Sequence, residues 1–243
     1  MSTITPLQAI RLTHNVLLKQ LITKGRLIGI TIIGLLPILL GWVIGRQSDD
    51  PLEAGVGFVS YMGLSILIPI VALIFASASL GDTREDGTLV YLWLRPISRL
   101  SVSTGAWAAS VTIALPLTVI PMTISAILLD AGNSVITATI VTSILALLAY
   151  SSLFVILGLI VKNPVLWGLA YIFIWEAIVA SFAKPAAALA VSGYSRAIIT
   201  GQTNVEFDYL FDPTQSVSVL MLIIITFAGI AFSSARLNRL EVP

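Results

Sequence analysis

An all-α integral membrane protein is the fold expected of this chain, on three observations. Only 10% of its 243 residues are charged, where a soluble domain carries about 25%. Hydrophobic residues make up 57% and the mean hydropathy is +1.01. The apolar residues are also gathered into six long runs, and none of these alternates polar and apolar over the ten-residue segments of a membrane barrel. The 13 basic and 12 acidic residues leave a net charge of +1, too little to recruit nucleic acid. Cysteine is absent and His14 is the single histidine, which excludes disulfides, thiolate catalysis and any zinc site needing two such ligands.

The chain begins with a charged stretch in which Thr5-Pro6 has the pattern of an N-cap followed by proline at the first helical position. Leu7, Ile10, Leu17, Leu18 and Leu21 share one arc of the helix that follows, and Gln8, Arg11, Asn15 and Lys19 share another; Leu12 and Val16 fall off the pattern. An amphipathic helix in the membrane interface is expected, as a surface anchor or as a helix that also touches a cytoplasmic partner. His14 lies on the apolar arc and is expected to be packed rather than liganded.

A spanning helix needs roughly 20 mostly apolar residues to cross about 30 Å of hydrocarbon. Six stretches meet that length: Leu27 to Gly45, Gly55 to Leu80, Thr104 to Leu129, Val135 to Val161, Val165 to Phe182 and Gln215 to Ala235. The first follows too long a charged stretch, with no small-residue cleavage site after it, to be a signal peptide, and is expected to be retained. Residues 1–243 thus form one domain: a cytoplasmic helix over 1–26, a bundle over 27–235 and a tail over 236–243. If the N-terminus is inside, only Arg46, Lys184 and Arg196 of the 13 basic residues fall outside, so the positive-inside rule puts both termini in the cytoplasm.

Between the second and third runs lies GDTREDGTLVYLWLRPISRLSVS, residues 81–103. Asp82, Arg84, Glu85 and Asp86 precede an apolar patch of Leu89, Tyr91, Leu92 and Trp93, and Arg95 and Arg99 follow it across Pro96. A short amphipathic helix outside the membrane is the simplest structure. A mere turn does not need that apolar area, which is expected to bury against the membrane or, preferentially, another protein. Lys162-Asn163-Pro164 makes a tight turn between the fourth and fifth runs. Residues 183–214 form the long external connection, apolar enough at Pro185 to Val191 to dip back into the membrane. Pro37, Pro69, Pro116 and Pro121 lie inside spans, where each frees a carbonyl that a neighbour must satisfy.

Glu176 is the one acid deep in a run. A carboxylate there must face the protein interior or a wet cavity, either as a contact on a translocation path or gate, or as a structural, hydrogen-bonded group holding the external segment. Recognisable enzyme chemistry is missing. None of the four lysines is followed by Ser or Thr as a phosphate-binding loop requires, and no span holds an aspartate or a histidine. The chain is expected to be no enzyme and to bind no metal or other cofactor itself.

Glu85-Asp-Gly-Thr-Leu89 followed by Arg95-Pro-Ile-Ser-Arg99 resembles the loop after the second span of the permease subunits of ABC-2 type exporters, which share the membrane fold of the ABCG transporters. Trp175-Glu176 and Ser192 to Arg196 are also similar to that family's pattern. Where the family usually continues Gly-Lys into the third span, this chain has Gly105-Ala106. The resemblance covers essentially the whole chain and implies that the loop is a coupling helix docking into a partner ATPase subunit. That subunit supplies the ATP and magnesium site, and a second copy of this permease or a homologous one completes the path. It also implies a prokaryotic cell membrane, with lipid around the bundle. A six-span secondary transporter and a non-transporting membrane anchor are the alternatives; the first calls for inverted repeats or several charges at the midplane.

Overall fold

The structure, a computed structural model, describes residues 5–87, 97–205, 207 and 209–239. Those residues form helices and no strand. In chain order they are α1 (Pro6–Leu21), α2 (Lys24–Gly45), α3 (Pro51–Glu85), α4 (Arg99–Leu128), α5 (Gly132–Ile160), α6 (Pro164–Phe182), α7 (Lys184–Ala187), α8 (Val191–Thr203) and α9 (Gln215–Arg239). Six of them, α2 to α6 and α9, are long and apolar enough to cross a membrane, so the chain is an all-α, multi-pass membrane protein. We call the end where α2 begins and α9 finishes basal, and the other apical.

The expected spans are found, and the main difference is basal. The second run was expected to stop at Leu80, but α3 continues to Glu85 and α4 starts at Arg99. Asp82, Arg84 and Glu85 are therefore helical, in the last turns of a span rather than in a loop. The helix stops where Gly87 takes a left-handed φ of 67° and its N–H donates to the Arg84 carbonyl, a conformation that glycine adopts without a Cβ penalty. Ser98 opens α4 by accepting the Ser101 N–H at 3.1 Å. The amphipathic helix expected over the apolar patch falls on residues 88–96, outside the described residues.

At the centre of the bundle α5 packs on α3, α4, α8 and α9. Ser152 Oγ reaches the Ile225 carbonyl of α9 at 3.3 Å, and most other hydroxyls bond back to a carbonyl three or four residues earlier, as Thr139 does to Val135 at 2.7 Å. Between lipid-solvated helices no hydrophobic force pulls the spans together, so close approach of backbones matters most. Gly158 supplies it: a Cβ there would lie 3.0 Å from the Ser77 carbonyl carbon of α3. Gly158→Ala is expected to cost about 1–3 kcal/mol by overpacking. Gly29→Ala, whose Cβ meets nothing within 4 Å, should leave the thermal midpoint in detergent unchanged. Equal midpoints for the two variants would show that the α3–α5 contact is loose.

Two spans depart from α geometry. Residues Val59–Leu67 of α3 and Tyr171–Val179 of α6 are π-helical. In α3 the cause is visible in the sequence: Pro69 has no N–H for the Ser65 carbonyl and its ring crowds that carbonyl, so the turn above it widens. Ser65 Oγ then donates five residues back, to the Ser60 carbonyl at 3.0 Å.

The N-terminal helix forms as expected, with a capping box in which Gln8 N–H donates to Thr5 Oγ1 and Thr5 N–H to Gln8 Oε1. Its buried stripe differs from the expected apolar arc. Ala9, Thr13, Leu17 and Leu21 are buried, while Leu7 is 78% exposed. The helix docks on the basal part of α4, because Ala9 and Thr13 are small and a Cβ at Gly105 would lie 2.7 Å from Thr13 Cβ. His14 is half-buried, with its ring nitrogens 3.1 Å from Thr112 Oγ1 of α4 and 3.1 Å from Asn15 Oδ1.

Candidate functional site

Glu176 is 5% exposed and sits in the π-helical part of α6. Its carboxyl group accepts three hydrogen bonds: from the Tyr150 hydroxyl of α5, from the Tyr171 hydroxyl of its own helix at 2.8 Å, and from the Val191 N–H at 3.0 Å. Phe154 holds both phenols in place, stacked on Tyr150 with centroids 5.9 Å apart and edge-on to Tyr171 at 6.2 Å. Tyr150 is about 15 Å, ten residues at 1.5 Å each, from the basal end of α5. The cluster therefore lies near mid-membrane.

Val191 is the first residue of α8, and its cap residue Ala190 has no side chain to cap with. A helix that starts inside a membrane exposes amide hydrogens to hydrocarbon unless something accepts them. Glu176 is that acceptor, its oxygen set at the positive end of the α8 dipole. The re-entrant element is thus α8, lying between α5 and α9 with Ser195, Ile198 and Ile199 buried. The stretch Pro185 to Val191, expected to dip back, leads into it: Ala187, Ala190 and Val191 are buried while Leu189 is 70% exposed. Hydropathy did not mark α8, whose Ser192, Ser195, Thr200 and Thr203 are buried with its apolar residues.

At the basal end Asp82 accepts from Arg26 of α2 at 2.7 Å. Arg84 donates to the last carbonyls of α5, Leu159 at 3.0 Å and Val161 at 3.4 Å, a cation placed on the negative end of a helix dipole. Both side chains therefore tie α3 to neighbouring spans. Glu85 walls a cavity of about 530 Å³ with Arg26, Asp82, Lys162, Leu166 and Leu169. Asp86 is exposed in the turn after α3, and Arg99 begins α4. Leu89, Tyr91, Leu92, Trp93 and Arg95 lie outside the described residues.

One residue was assigned to the external loop and belongs to the interior. Arg196 of α8 donates to Ser65 Oγ of α3 at 2.7 Å, and its guanidinium carbon lies 5.4 Å from the Tyr61 ring and 5.5 Å from the Tyr209 ring. Burial holds the Tyr209 phenol above its ordinary pKa, so it stays a neutral hydroxyl. The only sequence signal for this placement is Pro69, which opens α3 at Ser65. Among the described residues no group of three or more His, Cys, Asp or Glu side chains is placed to hold a metal. Compared with known proteins, the chain matches no family model and no curated protein at a significant level.

Proposed function

We propose that this chain is the membrane-spanning permease subunit of an ABC exporter, paired with a second copy or a similar permease and driven by a separate ATPase subunit that supplies the ATP and magnesium site. The observation that carries this reading is basal. Asp82 bonds to α2 and Arg84 to the end of α5, both within the last turns of α3. A force applied to residues 88–96 would reach three spans together rather than bend one helix end, as a coupling loop requires. The basal end is then cytoplasmic, in a cell membrane of a prokaryote. The intact mass of the complex, purified in mild detergent from its own membranes, tests this: two permeases with two ATPases are expected. A stable monomer without ATPase overturns it.

Orientation has its own test, made simple by the absence of cysteine. Ser134→Cys at the apical end should react with an impermeant maleimide on intact cells, and Lys19→Cys only after lysis. The reverse pattern would invert the protein.

Glu176 and Arg196 together favour a second reading, a secondary transporter, because ionisable residues at membrane depth commonly mark coupling-ion or substrate paths. Reconstituted vesicles separate the two readings. Transport that needs the ATPase and persists without an ion gradient supports the exporter; transport by this chain alone, driven by a gradient, supports the second.

A further inference from the structure

The basal cavity is a wedge between spans that diverge. α2 packs along α4 and meets α3 chiefly in its apical half, Pro51–Leu67, whereas α6 packs on α3 and α5. Basally α2 and α6 therefore stand on either side of α3, with the Arg26–Asp82 ion pair bridging α2 to α3 there. The gap between them is the cavity of about 530 Å³, a volume inside the range of about 300–1,000 Å³ usual for ligand sites.

Its walls are graded from membrane to mouth. Ile74, Ala78 and Leu169 line the inner part, and Arg26, Asp82, Glu85 and Lys162 line the basal part. The α3 wall from Ile74 to Glu85 is about 16 Å long, at 1.5 Å per residue. Ser77, the hydroxyl on that wall, is bonded back to the Leu73 carbonyl at 2.6 Å, so the inner part offers no polar group in need of a partner. The rim lies at headgroup level: Trp167, in the first turn of α6, is 59% exposed, as tryptophans at a membrane interface are. Leu166 beside it is 65% exposed and walls the cavity from the lipid side.

The mouth holds two cations and two carboxylates. Among the described residues the one ion pair is Arg26–Asp82. Glu85 and Lys162 are exposed on different walls, at the end of α3 and in the α5–α6 turn. An occupant that satisfies this mouth brings an anion for Lys162 and the remaining donors of the Arg26 guanidinium. It also brings an ammonium with N–H groups for the carboxylates, and an apolar body for the inner walls.

We propose that the basal cavity binds one molecule of phosphatidylethanolamine, its phosphate on Lys162 and Arg26, its ammonium on Glu85 and Asp82, and an acyl chain along Ile74, Leu166 and Leu169. An acidic phospholipid would set its own negative charge against the two carboxylates and give them no cation. A choline lipid carries the positive charge but no N–H to donate. The site does not rest on the exporter reading, since it follows from the spans and their charges alone.

The purified full chain in neutral detergent is titrated with dioleoyl phosphatidylethanolamine, phosphatidylcholine and phosphatidylglycerol, and with glycerophosphoethanolamine, the headgroup without chains. Intact mass counts bound lipid, and thermal unfolding reads its effect. Phosphatidylethanolamine should bind as one copy, roughly tenfold more tightly than phosphatidylcholine, the worth of a charge-assisted hydrogen bond, and should raise the unfolding midpoint. Glu85→Gln should bring phosphatidylethanolamine down to the level of phosphatidylcholine and leave the latter unchanged, whereas Lys162→Gln should weaken both alike. Both side chains are exposed, so without lipid both variants should unfold at the native midpoint. Leu169→Trp, which fills the inner part and keeps all four charges, should weaken every phospholipid. Equal binding of the ethanolamine and choline lipids by the native chain, tighter binding of phosphatidylglycerol, or a preference that survives Glu85→Gln overturns the proposal. Binding of the chainless headgroup as tightly as the whole lipid overturns it too.

Discussion

Glu176→Ala is expected to lower the yield of monodisperse protein severely and to bring its thermal midpoint down by far more than any surface change. The substitution strands three buried donors at once: the Tyr150 and Tyr171 hydroxyls and the Val191 N–H. Each orphaned donor costs about 1–3 kcal/mol, against a total stability of about 5–15 kcal/mol for a typical domain. Glu176→Gln keeps one acceptor oxygen, and the Tyr150 hydroxyl can rotate to accept from the new amide, so its loss should be less than half as large. Tyr150→Phe removes one donor together with its need for an acceptor and should cost least. Thermal unfolding in detergent, followed by size-exclusion yield, ranks the three. An alanine variant as stable as the native chain, with altered transport, would make Glu176 a gate rather than the cap of α8.

Trp93→Ala is expected to release or uncouple the ATPase subunit, and to do so more than Arg84→Ala. A buried aromatic anchor at an interface commonly contributes about 2 kcal/mol or more, roughly a thirty-fold change in affinity, whereas a rim charge contributes less. Residues Leu89, Tyr91, Leu92 and Trp93 are flanked by acids before and bases after, the pattern of an apolar anchor rimmed by charge. The structure sharpens the contrast. Arg84 is engaged with the end of α5, so its loss should show first as reduced thermal stability and only secondarily as weaker association. Asp82→Asn should act likewise, through Arg26. Copurified ATPase and substrate-dependent hydrolysis measure the effect. Unchanged copurification and coupling in a Leu89, Leu92 and Trp93 triple-alanine variant would reduce the loop to a connection.

The six spans, to within a few residues at each end, and the capped N-terminal helix were legible in the sequence, because both are written in local chemistry. A run of apolar residues long enough to cross hydrocarbon has nowhere else to go. Thr5 and Gln8 satisfy each other within a single turn, and Pro6 at the first helical position needs no N–H partner. Glu176 was legible as a residue that needed partners, since a carboxyl among apolar residues is costly wherever it is. Which partners it found was not written locally. Tyr150 is 26 positions away and Val191 is 15, and only the packing of α5 against α6 and α8 brings them together. Arg196 shows the same limit more sharply. Read along the chain it is one polar residue in a polar connection; the descent of α8 between α5 and α9 carries it to Ser65, 131 positions distant. Hydropathy reports the solvent that a segment prefers by itself, so it finds the helices that face lipid on their own account. It does not find a polar helix whose burial is made tolerable by a carboxylate on another span and by a hydroxyl on a third, because those contacts exist only after the chain has folded.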